Sequence, residues 1–255
     1  PHGSRVTAQN GTGGERPLPA TQATPQRRSF CRFMIDEPRE LRQRLRVLRR
    51  ALSPAERCQA ALTVAHRLEA WPVWIGAIRV AGYWACDGEL DPAPLLERAW
   101  AVGRSVYLPV LDGGCSLRFA PYRPGVPLRR NRFNIPEPGI PPAEWLEPSR
   151  LDVVLTPLVA FDPTGTRLGM GGGFYDRTFA FLADPGWRGR RPVLLGLGYE
   201  FQRVAALVRQ AWDVPLAAAV TEAALSVFPA AEDLALAPQL SPPPTGDGNA
   251  GAPIA

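Results

Sequence analysis

The stretch RLGMGGGFYDR, residues 167–177, places four glycines directly before two aromatic residues, an acid and a base. Glycine loses much conformational freedom on folding, so a cluster is expected where the backbone bends sharply or approaches a ligand closely. Successive backbone N–H groups in such a bend can bind an anion such as phosphate. The neighbouring Arg167, Asp176 and Arg177 favour an anion or metal–phosphate site. A flexible surface turn would give the same glycine pattern, so both interpretations stay open at this point.

The spacing of the cluster differs from the two common phosphate-binding loops. Phe174 stands where GxGxxG, counted from Gly169, has its last glycine, and no Lys-Ser/Thr pair follows as in a P-loop. Lysine is in fact absent, so all 29 residues counted as Lys+Arg are arginine. This excludes a Schiff-base lysine and a lysine general base. The two histidines, His2 and His66, make a His-centred triad or a multi-histidine metal site unexpected.

Composition and cysteine usage indicate a soluble, cytoplasmic protein. The cysteines Cys31, Cys58, Cys86 and Cys115 lie far apart without a CxxC motif, as is typical of reduced structural thiols. The sequence contains no run of 18 apolar residues, which a membrane-spanning helix would need. The first 30 residues lack the apolar core of a signal peptide.

Helical and extended patterns alternate along the chain. Leu41, Leu45, Leu48 and Leu52 fall on one face of a predicted first helix. SPAE at residues 53–56 predicts a capping box that starts a second helix, and Asp91-Pro92 starts another. RVAGYWA, SVYLPVL, LRFAPY and RPVLLGLGY are typical of strands, and LDVVLTPLVAF (151–161) of a strand covered on both faces.

This alternation predicts a three-layer α/β/α fold with a mostly parallel sheet. Ligands of such sheets bind beyond the carboxyl ends of the strands, where the glycine cluster after Phe161 belongs. We expect one domain over residues 36–229, between a disordered tail (1–35) and a low-complexity tail (230–255). Met34 could be the translation start.

Several blocks of the chain together resemble the 5-formyltetrahydrofolate cyclo-ligase family, also called methenyltetrahydrofolate synthetase. They are LTPLVAFDPTGTRLGMGGGFYDR, LSPAER, YWACDGELD, VYLPVL, NRFNIPEP, LGLGYEFQ and WDVPLAAAVTE, in that family's order along the chain. The resemblance implies an α/β/α fold related to sugar-phosphate isomerases and CoA transferases. It also implies ATP- and Mg²⁺-dependent conversion of 5-formyltetrahydrofolate to 5,10-methenyltetrahydrofolate, through phosphorylation of the formyl oxygen.

The resemblance assigns roles to individual positions. Asp176 and Asp213 match the family's magnesium ligands, while Glu89 and Trp84 match residues beside the folate, which Phe174 and Tyr175 also border. The implied ATP-binding residues are Arg39, Arg42, Arg167, Leu168, Gly169, Met170, Gly171, Gly172, Gly173, Phe174 and Tyr175. Many family members have lysines where this chain has Pro38 and Gly172, and Arg39 or Arg42 could compensate because arginine binds phosphate bidentately.

Simpler interpretations remain beside these roles. Asp176 could be a helix N-cap, Asp213 a loop acid, Glu89 part of an exposed turn and Trp84 a core residue. The arginine-rich first helix and the net charge of +5 suggest RNA binding as an alternative function, although nucleic acid is not the expected partner. A sugar-phosphate isomerase or a CoA transferase on the same fold is the other alternative. A monomer is expected.

Overall fold

The structure is a computed structural model that describes residues 2–3 and 37–229. The expected tails, 1–35 and 230–255, and the expected start at Met34 lie almost entirely outside the described residues and stay predictions. Along the described residues, no helix has both the length and the apolar character that a membrane crossing requires.

The helices begin where the sequence supplies starting signals. Ser53 and Glu56 form the predicted capping box: the Ser53 N–H donates to Glu56 Oε2 at 2.8 Å, and the Glu56 N–H donates to Ser53 Oγ at 3.2 Å. Proline stands in the first turn of the first three helices, where its missing N–H costs nothing. The α-helices of the described chain are α1 (Pro38–Ala51), α2 (Pro54–Leu68), α3 (Pro72–Gly76), α4 (Ala93–Ala101) and α5 (Phe174–Thr178).

The strands of the described residues are β1 (Arg79–Ala81), β2 (Ser105–Leu111), β3 (Leu117–Pro121), β4 (Leu128–Arg130), β5 (Pro136–Pro138), β6 (Val153–Pro157), β7 (Ala160–Phe161), β8 (Arg167–Leu168), β9 (Val193–Leu197), β10 (Ala218–Val220) and β11 (Leu225–Val227). Seven of them form one central sheet, and the other four form two hairpins. The sheet order is β11-β10-β9-β6-β1-β2-β3, and its five middle strands are mutually parallel. β3 and β11 close the edges as antiparallel strands, while β4 pairs with β5 and β7 with β8.

Both faces of the sheet are covered, as the unbroken apolar run of β6 predicts. Val153 and Leu155 pack on one side with α2, α3 and α4, and Val154 packs on the other side with Phe179 and Phe161. The second side is covered by the short α5 and by a 3-10 turn at Ala180–Ala183 rather than by long helices. The predicted α/β fold with a mostly parallel sheet is confirmed.

The buried stripe of α1 differs from the predicted leucine stripe. Leu41 and Leu45 are buried against Val159 and Ala160, but Leu48 is 46% exposed. The third buried position is Arg49, with an exposure of 1%. The buried stripe of α1 therefore runs at positions i, i+4 and i+8. Its last position can be an arginine because buried polar groups form hydrogen bonds with the guanidinium.

Two predicted strands are shorter than expected. The run 151–161 is not one strand: β6 ends at Pro157, and β7 forms a separate hairpin with β8. The chain leaves the sheet at Leu158 and Val159, whose carbonyls each accept a hydrogen bond from Gln202 Nε2 at 2.9 Å. RVAGYWA contributes only Arg79–Ala81 as a strand, and its remainder forms a loop at the carboxyl end of β1.

Candidate active site

The glycine cluster lies at the carboxyl end of the sheet, as the sequence predicts. The β7–β8 hairpin delivers the chain there, and Asp162 stabilises its turn by accepting from the N–H groups of Thr164 (2.8 Å) and Thr166 (3.1 Å). Residues 169–173, which we call the glycine turn, then lead into α5. Gly171 and Gly173 have φ values of 98° and 63°, a region that favours glycine strongly. The cluster therefore forms a bend at which glycine is favoured.

Helix α1 contacts the glycine turn through Arg42. Its Nε donates to the carbonyl of Gly169 at 2.7 Å, and a Cβ added at Gly171 would lie 3.9 Å from Arg42 Cζ. A guanidinium is thus fixed beside the turn, where it can bind an anion. Arg39 is exposed on the first turn of α1.

Arg167 and Asp176 form an ion pair beside the glycine turn. Arg167 Nη2 lies 2.6 Å from Asp176 Oδ1, and the side chain of Arg167 is only 5% exposed. Burial lowers the pKa of Arg167, and the charge of Asp176 opposes this shift. Asp176 lies inside the first turn of α5, whose N-cap is Gly173, so the alternative that Asp176 is a helix N-cap is wrong.

Asp213 belongs to a segment that is tied to the same ion pair. The N–H of the next residue, Val214, donates to Asp176 Oδ1 at 3.2 Å, and the carbonyl of Val214 accepts from Arg167. The Oδ2 atom of Asp213 accepts from the N–H of Gln210 at 2.8 Å. The two carboxylates thus come from distant parts of the chain and are joined by backbone contacts.

These carboxylates fit a magnesium ion that is shared with a phosphate. In the described part of the chain no group of three or more His, Cys, Asp or Glu residues could hold a metal. Mg²⁺ needs no such group, because it keeps several waters and commonly binds one or two carboxylates together with substrate phosphates. The donor set of Asp176 and Asp213 suits that arrangement and does not suit an all-protein metal site.

Tyr175 carries a buried hydroxyl without a partner. Its ring stacks on Phe179 with centroids 6.2 Å apart, and within residues 37–229 its hydroxyl makes no hydrogen bond. Burial raises the pKa of Tyr175; the charge of Glu89 adds to this shift and that of Arg167 opposes it. Both charged groups are therefore near enough to influence the hydroxyl. Such an orphaned polar atom fits a ligand that supplies the missing hydrogen bond.

Glu89 is more buried than the alternative of an exposed turn allows. Its side chain is 8% exposed, and its Oε2 accepts from the N–H of Cys86 at 3.2 Å. Its Oε1 lies 3.8 Å from Nη1 of the buried Arg49. Burial raises the pKa of Glu89, while the charge of Arg49 opposes that rise.

Trp84 is 38% exposed and so is not a core residue. Its ring meets Tyr122 edge-on at 6.4 Å, and it lines a cleft of about 370 Å³. The cleft is also lined by Arg130 and by four residues of NRFNIPEP (131–138), and Phe133 among these contacts Phe174 edge-on at 5.7 Å. The cleft lining comprises Trp84, Ala85, Cys86, Arg130, Phe133, Asn134, Ile135 and Pro136.

No folate- or ATP-binding role was predicted for Arg130, Phe133, Asp87 or Arg49, and Arg49 was considered only as part of the arginine-rich first helix. The 52% exposure of Phe133 could not be seen in the sequence, although its block was recognisable. The Asp-Gly dipeptide at residues 87–88 is a turn signal that was available. No signal pointed to Arg49, because an arginine within an amphipathic helix normally lies on the solvent face.

The arginines of α1 mainly bind other parts of the chain. Arg42 contacts the glycine turn, and Arg46, Arg49 and Arg50 all contact Asp87. Phosphate binding along a nucleic acid needs cations that face outward. These four contacts therefore weaken the RNA-binding alternative.

Comparisons with known proteins agree with the geometry. The family model described as the 5-formyltetrahydrofolate cyclo-ligase family matches residues 35–222. The 5-formyltetrahydrofolate cyclo-ligase of Escherichia coli K12 is 42% identical over 179 residues, covering 69% of this chain and 96% of the relative. That of Haemophilus influenzae is 37% identical over 179 residues, covering 69% of this chain and 93% of the relative. The structure of Aquifex aeolicus 5,10-methenyltetrahydrofolate synthetase superposes with a TM-score of 0.64 at 30% identity, covering 75% and 93% of the two chains.

Proposed function

The chain belongs to the 5-formyltetrahydrofolate cyclo-ligase family, and from this we propose that it closes 5-formyltetrahydrofolate to 5,10-methenyltetrahydrofolate with ATP and Mg²⁺. The observation that supports ATP and Mg²⁺ as participants is that Arg42, Arg167 and Asp176 lie together around the glycine turn. Two guanidinium groups, a carboxylate and bent backbone suit a triphosphate with its metal.

The chemistry requires positioning more than it requires a nucleophilic side chain. A formyl oxygen on N5 leaves poorly, so its phosphorylation by the γ-phosphate of ATP prepares it to leave. N10 then attacks the formyl carbon and loses its proton, and the C–O bond breaks to release phosphate. Transfer of a phosphoryl group depends on alignment and on neutralised charge. A chain without lysine can provide both through arginines, carboxylates and backbone.

Each proposed role follows from where a side chain lies. Arg42 and the glycine turn hold the triphosphate, while Arg167 keeps Asp176 oriented toward it. Asp176 and Asp213 would hold Mg²⁺, which when bound neutralises phosphate charge. Glu89 would accept hydrogen bonds from the pterin, and Tyr175 would pair its hydroxyl with the substrates. Trp84, Phe133 and Phe174 would offer aromatic surfaces to the flat ring system.

The test is the near-ultraviolet absorbance of the methenyl product after the protein is mixed with 5-formyltetrahydrofolate, Mg²⁺ and ATP. We expect a rise that depends on ATP and on Mg²⁺. Asp176→Asn should abolish most of it, because the amide keeps an acceptor for Arg167 and Val214 but loses the metal-binding charge. The exposed Asp184→Asn is the matched control and should react as the wild type does. A rise without ATP, or an unaffected Asp176→Asn, would contradict the proposal.

ATP dependence also separates this reaction from that of a sugar-phosphate isomerase, which needs no ATP. The cytoplasmic location, the monomeric state and the minor place of nucleic acid stay predictions.

A further inference from the structure

Glu89 stands at the end of a tight turn formed by residues 86–89, which we call the acidic turn. Asp87 and Gly88 have φ values of 54° and 74°, and the N–H of Glu89 donates to the carbonyl of Cys86 at 2.9 Å. Positive φ at both central residues is the requirement of a type I′ turn, which Asp-Gly satisfies well. The conformation of this turn therefore determines the position of the Glu89 backbone, and with it the position of the side chain.

Three arginines of α1 hold the acidic turn through one carboxylate. Asp87 Oδ2 accepts from Arg46 Nε at 2.6 Å and from Arg49 Nη2 at 2.9 Å, and Arg50 contacts Oδ1. Arg49 Nε also donates to the carbonyl of Asp87 at 2.8 Å. Desolvation alone would raise the pKa of Asp87, but the arginines outweigh it and hold that pKa below its ordinary value. Asp87 is thus a charged anchor between the helix and the turn.

Arg49 links this anchor to Glu89 and to the segment that follows β6. Its side chain is 1% exposed, and its Nη1 lies 3.3 Å from the carbonyl of Leu158 and 3.8 Å from Glu89 Oε1. A buried guanidinium with this many partners has little freedom to move. The carboxylate of Glu89 therefore faces a fixed positive charge.

The backbone of the acidic turn also lies directly against α1. A Cβ added at Gly88 would be 2.9 Å from the carbonyl oxygen of Arg49, which is too close for a real contact. Because the obstacle is helix backbone and not a flexible side chain, the turn and not the helix would have to shift.

We propose that Arg49 and Asp87 are positioning residues that fix Glu89 for the folate, so that α1 sets the affinity for the folate through the acidic turn. The inference rests on the proposed function, since it takes Glu89 as a folate ligand. Small displacements of a positioned group can have large effects: about 1 Å of misplacement can cost on the order of a hundredfold in rate.

Two glycine variants test the contact. Gly88→Ala and Gly103→Ala place alanine at nearly the same φ, 74° and 76°, but a Cβ at Gly103 meets nothing within 4 Å. Both variants strain the backbone to a similar extent, but only Gly88→Ala pushes the acidic turn away from α1. We expect the KM for 5-formyltetrahydrofolate to rise about tenfold or more in Gly88→Ala. The KM for ATP should stay within about twofold, and Gly103→Ala should leave both values unchanged.

Asp87→Asn provides a second variant in case Gly88→Ala fails to fold, which thermal unfolding would reveal. Asparagine tolerates the left-handed conformation, so the turn persists while its anchoring charge is lost. We expect a KM for the folate raised about threefold or more with an unchanged KM for ATP, and Asp87→Ala should raise it further. Unchanged folate KM values in Asp87→Asn and Asp87→Ala, or equal rises for folate and ATP, would overturn the inference. Absence of turnover by the wild type would overturn the proposed function and the inference with it.

Discussion

Replacing Tyr175 by phenylalanine should change stability and activity in opposite directions. The hydroxyl of Tyr175 is buried and has no hydrogen-bond partner within residues 37–229. A buried polar group left unpaired costs about 1–3 kcal/mol, so its removal should stabilise the protein without substrates by about 1 kcal/mol. For a domain of this size that corresponds to a melting temperature about 2–4 °C higher.

The activity of the same variant should fall. If the substrates supply the missing partner, Tyr175→Phe loses one hydrogen bond in the bound state, of about 0.5–1.5 kcal/mol. The expected result is a kcat/KM reduced by up to about tenfold. The assay pairs thermal unfolding without ligands with steady-state formation of the methenyl product.

Tyr83→Phe is the matched control for the stability measurement. The hydroxyl of Tyr83 is also buried, but it donates to the carbonyl of Leu90 at 2.5 Å. Its removal leaves that carbonyl without this donor and should lower the free energy of unfolding by about 1–2 kcal/mol. A Tyr175→Phe variant that melts at a lower temperature, as Tyr83→Phe should, or that has the kcat/KM of the wild type would contradict this prediction.

Two further predictions concern the glycine turn and the acid side of the pH profile. Gly171→Ala should lower the free energy of unfolding by about 1 kcal/mol because φ at Gly171 is 98°. Gly169 has no positive φ and open space around an added Cβ, so Gly169→Ala should change that free energy by less than about half as much. Equal melting temperatures of the two variants would contradict this prediction. Because burial raises the pKa of Glu89 and the pterin contact needs its ionised form, kcat/KM for the folate should fall as the pH is lowered through that raised pKa. Glu89→Gln should remove this acid limb from whatever activity remains, and an identical profile in the variant would assign the limb to another group.

The sequence predicted the elements where local signals determine them. The capping box at Ser53 followed from residues that are neighbours in the chain. The parallel sheet followed from the alternation of helical and extended patterns. The run 151–161 could not be divided in advance, because the strand, the exit from the sheet and the hairpin are all mostly apolar and mostly buried. Only the partners of the Leu158 and Val159 carbonyls show where the sheet ends.

The site was predictable as a set of loops but not as a set of contacts. The glycine turn and Asp176 were found from composition and family resemblance, and the ion pair with Arg167 follows only from the fold. Arg49 escaped sequence reasoning because its partner Asp87 is 38 residues away. The burial of a charged residue on a leucine stripe is explained only once the structure shows the oppositely charged residue that the facing loop supplies.

Arg42, which contacts the glycine turn, and Arg49, which contacts the acidic turn, are seven residues apart along α1. Seven residues make almost two full helical turns, so both side chains leave the same face with an axial separation of about 10.5 Å. The helix therefore fixes the distance between the glycine turn and the acidic turn. An insertion of one residue between the arginines would rotate one of them by about 100° relative to the other. The residue types along α1 can therefore vary, but the number of residues between Arg42 and Arg49 cannot change without moving one of these contacts.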